Sequence, residues 1–490
     1  MKRKINRVML SAPKSGSGKT LLTCALLATL KEKGYPVSSV KSGPDYIDPL
    51  FHKEVLGVPA RNLDTWFIDG GTAASLLAQD RADGEYVVME GVMGLFDGAG
   101  GTEMEGSSYD LARSTGTPII LVIDAKGAGF SILPMIAGFL SYDTANLIRG
   151  VILNRTSGVM AERLRPLIKE QLGIELIGYF PNQKNLAWES RYLGLTLPGE
   201  IAGVQDTITR AAAAFSESIP LEEILKIMEN APDLEYEPLR ERIAETEAGN
   251  GAEISGNTDN GNTSENAEDP EKSGTPKVRI AVARDEAFCF YYEENMQILR
   301  ALGAEIVPFS PIRDEKIPEN VSGMLLGGGY PENYLPELEA NASMRKSVKE
   351  AVEKGMPVRA ECGGFMYLHD RIFDKEGKPF EMVGAVSGEC RYTGKSQRFG
   401  YIEVIFPDGK PKDEERSGSG KRIRGHEFHY FDSTNNGEDC IAEKPVTGRQ
   451  YRCMQLCGTS VFGYPHLYYP SGMWFAEEFV KQAREYAGGR

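Results

Sequence analysis

Cys362 stands in the stretch RAECGGFMYLH, residues 359–369, between a glutamate and two glycines. A structural cysteine ordinarily packs inside a strand or helix as a small hydrophobe. Here PVRA reads as a strand and GGFMYLH as the start of a helix, so the thiol falls on a strand-to-helix elbow, as the serine of many hydrolases does. A helix N-terminus and a nearby imidazole would both favour the thiolate there. The N–H of Gly363 can face an oxyanion. LLGGGYPE, residues 325–332, ends another strand in three glycines, with Gly328 in the middle. Donors on two sides of one nucleophile point to acyl transfer. That chemistry needs a base, and the chain has five histidines. His52 lies far upstream, and His369 sits along the elbow helix and points away. His426, His429 and His466 remain, and the residue pattern does not choose among them.

A second reactive constellation opens the chain. SAPKSGSGKTLL, residues 11–22, follows an apolar strand and leads into a helix. Gly16, Ser17, Gly18, Lys19 and Thr20 form the second half of a P-loop. Glycine lets backbone N–H groups approach phosphate, Lys19 reaches the terminal phosphates, and the Thr20 hydroxyl can ligate Mg²⁺. Pro13 replaces the usual leading glycine, and Lys14 occupies the place of the extra lysine of deviant P-loops. The spacing predicts ATP binding. KSGPDYIDPLFH places Asp45 and Asp48 on a proline-bounded loop, and VVMEGVMGLFDG places Glu90 just past a strand and Asp97 beyond it. Ligands of open α/β sheets gather at the carboxyl ends of strands, so Asp45 and Glu90 are expected beside Thr20 at the Mg²⁺. The plainer reading of Asp45 and Asp48 is turn formation. Asn154, at the end of the strand GVILN, is expected to read an adenine edge.

These residues need strands that end where the chemistry is. RVMLSA, YVVME, PIILVID and GVILNR are short β-rich runs of the kind buried in parallel sheets. Between them lie helical patterns such as TLLTCALLATLKEKG and AERLRPLIKEQLG, the latter closed by Gly173. The alternation restarts at VRIAVAR and runs through EENMQILRALG, EIVPFS, GMLLGGG and ASMRKSVKEAVEKG to the elbow. Between the two halves, residues 245–276 are rich in Gly, Asn, Ser, Thr and acid and cannot bury enough surface to order themselves. The expected organisation is α/β throughout: a nucleotide-binding domain over 1–230, an acidic linker over 231–276, and a second α/β domain over 277–490.

Bulk properties fit that picture. A chain of 490 residues exceeds one core. A net charge of −15 argues against nucleic acid as a partner. No apolar run is long enough to span a membrane. Seven scattered cysteines suit a reducing cytoplasm better than a disulfide framework.

The motifs together resemble one family. AECGGFMYL, LGGGYPE, GHEFHYF and YPHLYY are similar to the glutamine amidotransferase domain of the cobyrinic acid a,c-diamide synthases. SGSGKT, KSGPDYIDPLFH, NLDTWF and EGVMGLFDG are similar to their synthetase domain. The resemblance implies a P-loop domain like that of dethiobiotin synthetase and a flavodoxin-like, class I amidotransferase-type domain. It implies that glutamine is hydrolysed in the second domain. ATP with Mg²⁺ would then activate the a and c acetate carboxylates of cobyrinic acid in the first, in cobalamin biosynthesis. It assigns the nucleophile to Cys362, its base to His466, the oxyanion donors to Gly328 and Gly363, and substrate contacts to Tyr46, Asp48 and Asp97. Tyr468 stands where many members carry a second histidine, and no glutamate follows at triad spacing, so a Cys–His dyad is implied. The resemblance allows a homodimer. A nickel-sirohydrochlorin a,c-diamide synthase shares this architecture, and a deviant P-loop switch ATPase would share only the first half.

Overall fold

The computed structural model describes residues 1–182, 203–238, 241, 278–407 and 420–489. The chain divides into two compact units, Met1–Ala252 and Glu253–Arg490. The expected acidic segment, 245–276, lies outside the described residues.

The strands of the first unit are β1 (Lys2–Arg3), β2 (Asn6–Ser11), β3 (Val37–Ser42), β4 (Ala60–Leu63), β5 (Tyr86–Glu90), β6 (Ile119–Asp124), β7 (Ile148–Asn154), β8 (Leu176–Phe180) and β9 (Leu234–Glu235). Seven of them form one sheet in the order β4-β3-β5-β2-β6-β7-β8, parallel throughout. The four runs read as strands are β2, β5, β6 and β7. Their near-continuous burial reflects a sheet covered on both faces. Helix α1 (Lys19–Glu32) packs Leu26, Leu27 and Leu30 into the same core as Val8, Val88 and Ile120. Helix α2 (Ile47–Glu54) follows β3. The helix Gly158–Leu172 ends on Gly173 at φ 67, the left-handed cap that glycine favours. β9 pairs antiparallel with β1, so ordered structure of the first unit runs past residue 230, the expected boundary.

The second unit carries a six-stranded sheet in the order Ala304–Phe309, Val278–Ala283, Gly323–Leu326, Val358–Glu361, Ser460–Gly463, Gln455–Cys457. All its pairings are parallel except the last. A five-stranded antiparallel sheet, Gln450–Cys453, Cys440–Glu443, Arg398–Ile405, Arg422–His429, His466–Leu467, stands beside it. A smaller four-stranded sheet contains His369–Phe373. Among the described residues, no helix is long and apolar enough to cross a membrane.

Candidate functional sites

In the first unit the turn after β2 delivers the P-loop. Gly16 and Gly18 take φ 76 and 95, a region that side-chain-bearing residues rarely adopt. The Ser17 hydroxyl donates to the Lys14 carbonyl at 2.9 Å. The ammonium of Lys19 donates to the carbonyls of Lys14 and Met93. Burial, and then the neighbouring Lys41, lowers Lys19 to about 8, a cost that bound phosphate would reverse. The side chain of Lys14 is exposed at the rim.

At the end of β5, Glu90 is fully buried and Oε1 accepts the Thr20 hydroxyl at 2.6 Å. The pairing arises because α1 begins directly above the carboxyl ends of β2 and β5. Oε2 of Glu90 is buried without a hydrogen-bond partner. Burial, followed by Asp48, pushes Glu90 up to about 7. An open carboxylate oxygen beside a threonine hydroxyl fits Mg²⁺, which favours one or two carboxylates completed by phosphate and water. Among the described residues, no group of three or more His, Cys, Asp or Glu side chains forms a protein-only cage.

Lys41 is the residue that sequence reasoning missed. Its Nζ lies 2.5 Å from Asp48 Oδ2, 2.8 Å from Glu90 Oε1 and 3.9 Å from Asp45 Oδ2. Burial alone would depress it. Asp48, Glu90 and Asp45 outweigh that and hold it protonated. The signal was a lysine within VSSVKS, a strand polar enough to escape notice. On the other side, His52 Nδ1 hydrogen-bonds Ser39 Oγ at 3.0 Å, and Nε2 stands 3.8 Å from Glu90 Oε2.

This cluster alters several expected roles. Asp48, expected on substrate, is engaged by Lys41 because a buried ammonium demands counter-charge. Asp45 Oδ1 accepts the N–H groups of Ile47 and Asp48, the plain turn role, and only Oδ2 faces the lysine. Tyr46 is buried at the start of α2. Asp97 Oδ2 folds back to accept Gly94 N–H at 2.9 Å. Asn154 does not reach outward to a base. Its Nδ2 donates to the Ser17 carbonyl at 2.7 Å, and a methyl at Gly18 would meet that nitrogen at 2.1 Å. Asn154 therefore braces the phosphate loop from behind.

In the second unit Cys362 occupies the bend between strand Val358–Glu361 and helix Gly363–Leu368, at φ 46 and ψ −106. A non-glycine residue in that region is strained and persists only where its surroundings fix it. Cys362 N–H bonds the Gly463 carbonyl, Gly364 N–H bonds Gly327, and a side chain at Gly364 would strike the Leu326 carbonyl at 2.1 Å. Gly363 N–H is directed at the sulfur. Gly329 N lies 3.2 Å from where a Gly363 Cβ would be, so the glycine loop closes on the elbow.

The structure separates the three histidines. His426 Nδ1 pairs with Tyr292 Oη at 3.0 Å. His429 stacks on Tyr464 at 3.9 Å and pairs its Nδ1 with the Phe431 carbonyl. His466 is the one that reaches the glycine loop: a methyl at Gly328 would sit 2.3 Å from its Cε1. His369 is tied to Phe365 and Ser433, away from the thiol.

Burial works against the thiolate that the elbow position favours. Cys362 is 7% exposed, and burial, then Glu332, raises its thiol above the ordinary range; Gly363 N–H opposes this without prevailing. Burial, with His426 and His429 nearby, likewise holds His466 neutral. Burial thus favours the uncharged pair, thiol and imidazole, at rest.

A P-loop on a parallel sheet and a thiol elbow facing a glycine loop define a two-part class: a nucleotide-dependent synthetase fused to a glutamine amidotransferase. Comparison with known proteins agrees. Residues 279–469 match the CobB/CobQ-like glutamine amidotransferase domain, and residues 8–193 match the CobQ/CobB/MinD/ParA nucleotide binding domain. The cobyrinate a,c-diamide synthase of Caldanaerobacter subterraneus subsp. tengcongensis is 35% identical over 451 residues, 91% of each chain. That of Thermoplasma volcanium is 34% identical over 99% of each chain, and that of Priestia megaterium 33% over 98% of this chain and 97% of its own. The chain belongs to the cobyrinate a,c-diamide synthase family.

Proposed function

We propose that this chain amidates the a and c acetate carboxylates of cobyrinic acid, spending ATP and taking nitrogen from glutamine. The observation that carries the reading is the presence in one chain of both half-sites: Cys362 with His466 at a glycine loop, and Lys19 with Thr20 and Glu90 at a P-loop.

In the second unit His466 takes the proton of Cys362 as the sulfur attacks the glutamine carboxamide. The oxyanion is held by backbone N–H groups of the elbow and the glycine loop, Gly363 and Gly328 among them. The imidazolium returns its proton to the departing nitrogen, ammonia leaves, and water hydrolyses the thioester to glutamate. In the first unit a substrate carboxylate oxygen attacks the γ-phosphorus of ATP, giving an acyl phosphate and ADP. Ammonia then attacks the acyl carbon and phosphate departs. Lys19 and the loop N–H groups offset charge on the transferring phosphoryl group. Thr20 and Glu90 would hold Mg²⁺, which would supply positive charge beside the phosphates.

Liberating ammonia within the protein supplies the nucleophile in its neutral form, whereas in bulk water near neutrality it is mostly ammonium. An acyl phosphate must be shielded from water for the same economy. Mg²⁺, a homodimer and a cytoplasmic location belong to this reading.

The test is mass spectrometry of products from purified chain, ATP, Mg²⁺ and glutamine with each tetrapyrrole acid. The a,c-diamide of cobyrinic acid is expected. Product from a sirohydrochlorin alone would replace the substrate, and ATP hydrolysis without amidation would favour a switch ATPase.

A further inference from the structure

The sequence supplies His466 with no carboxylate at the spacing of a Cys–His–Glu triad. The fold supplies one from elsewhere. Glu361 is the last residue of strand Val358–Glu361 and immediately precedes the nucleophile. Strand Val358–Glu361 pairs with Ser460–Gly463, placing Glu361 opposite Gly463, and His466 follows three residues on. Glu361 Oε2 lies 3.9 Å from His466 Nδ1. Both residues are buried, and Glu361 Oε1 has no hydrogen-bond partner. A carboxylate on Nδ1 leaves Nε2 as the nitrogen that can exchange a proton with sulfur.

We propose that Glu361 is the orienting carboxylate of His466, completing a Cys362–His466–Glu361 triad in which nucleophile and orienter are consecutive residues. The inference rests on the amidotransferase reading above and deepens it. When His466 takes the thiol proton, the imidazolium gains an ionised carboxylate at Nδ1, and the 3.9 Å separation closes to a hydrogen bond, as resting catalytic contacts commonly do. Glu361 does not touch glutamine. It holds the ring's tautomer and orientation, the task of the third group in such arrangements. Its neighbours suit that task. Burial raises its carboxyl to about 8, and the N–H of Leu467 and the charge of Arg359 oppose the rise, so the ionised form that orients the ring grows in as pH rises towards 8. His426 lies over His466 with ring centroids 5.0 Å apart and planes within 17°, limiting how the imidazole can turn.

The test compares Glu361→Gln, His466→Ala and the double variant with the unaltered chain. Glutamine-dependent and ammonia-dependent amidation are both measured. Glu361→Gln keeps the side chain's volume. It should lower kcat with glutamine on the order of 100-fold, with KM within about threefold, since an orienter acts after binding. The double variant should be no slower than His466→Ala alone, because Glu361 acts only through that ring. Ammonia-dependent amidation should stay within about twofold throughout. The proposal is overturned if Glu361→Gln retains kcat, if its effect multiplies that of His466→Ala, or if ammonia-dependent amidation falls in parallel, the mark of a structural residue. A Cys362→Ser control that still uses glutamine would overturn the amidotransferase reading itself, and this proposal with it.

Discussion

Thr20 donates its hydroxyl hydrogen to Glu90 Oε1 at 2.6 Å, joining the first turn of α1 to the end of β5. The same oxygen accepts from Lys41 at 2.8 Å, so one carboxylate ties the phosphate loop to the polar strand β3.

Glu90→Gln keeps the hydrogen bonds but removes the charge. ATP-dependent amidation with ammonia should fall on the order of 100-fold, while hydrolysis of glutamine, measured as glutamate released, stays near that of the unaltered chain. Equal loss of both would show that Glu90 does not belong to the ATP site alone.

Lys41→Met leaves the buried Asp48 and Glu90, and the half-buried Asp45 beside them, without their cation. Breaking a buried ion pair from one side costs about 3–5 kcal/mol. The cost should depend on pH. Burial raises Glu90 to about 7 and Asp45 to about 6. Between the ordinary carboxylate range and those values the folded unit holds more protons than the unfolded chain, so these groups make stability fall as pH rises through that window. Without Lys41 the fall steepens. Thermal unfolding should therefore show a larger gap between variant and unaltered chain at pH 8 than at pH 6. A gap independent of pH would mean that the carboxylates are not the reason for the lysine.

Asn154→Ala removes one buried hydrogen bond to Ser17. The KM for ATP should rise about threefold to tenfold, the net worth of such a bond, and the preference for ATP over GTP should not change. A selective loss of ATP would return Asn154 to base recognition.

The raised thiol of Cys362 predicts low reactivity at rest. At pH 7.5 iodoacetamide should alkylate it at least about tenfold more slowly than glutathione, whose thiol resembles free cysteine near pKa 8.5. Peptide mapping by mass spectrometry gives the rate. Faster alkylation than glutathione would show a standing thiolate.

What could be read from the sequence follows a physical division. β2, β5, β6 and β7 are continuous apolar runs because the sheet is covered on both faces, and such runs announce themselves. β3 hid because Ser38, Ser39 and Lys41 are buried polar residues with partners elsewhere in the chain, among them Glu85, His52, Asp48 and Glu90. The mixed and antiparallel sheets between His369 and Leu467 also escaped, since their half-exposed strands lack a sustained apolar pattern. Within the sites, the local motifs were legible: the strand–loop–helix of Lys19 and Thr20, and the elbow of Cys362. Contacts between distant segments were not. The choice of His466 over His426 and His429 depends on the register of strand His466–Leu467 against Gly425–His426. The state of the thiol depends on carboxylates from three separate segments, Glu332, Glu427 and Glu361.

The central claim is that nitrogen freed at Cys362 is consumed at the P-loop unit. Its most direct measurement is product formation by Cys362→Ser with glutamine and, separately, with ammonium at a pH where free ammonia is abundant. The account predicts no amidated product from glutamine and a rate from ammonia equal to that of the unaltered chain. Amide formed from glutamine by this variant, or loss of both nitrogen sources together, would contradict it.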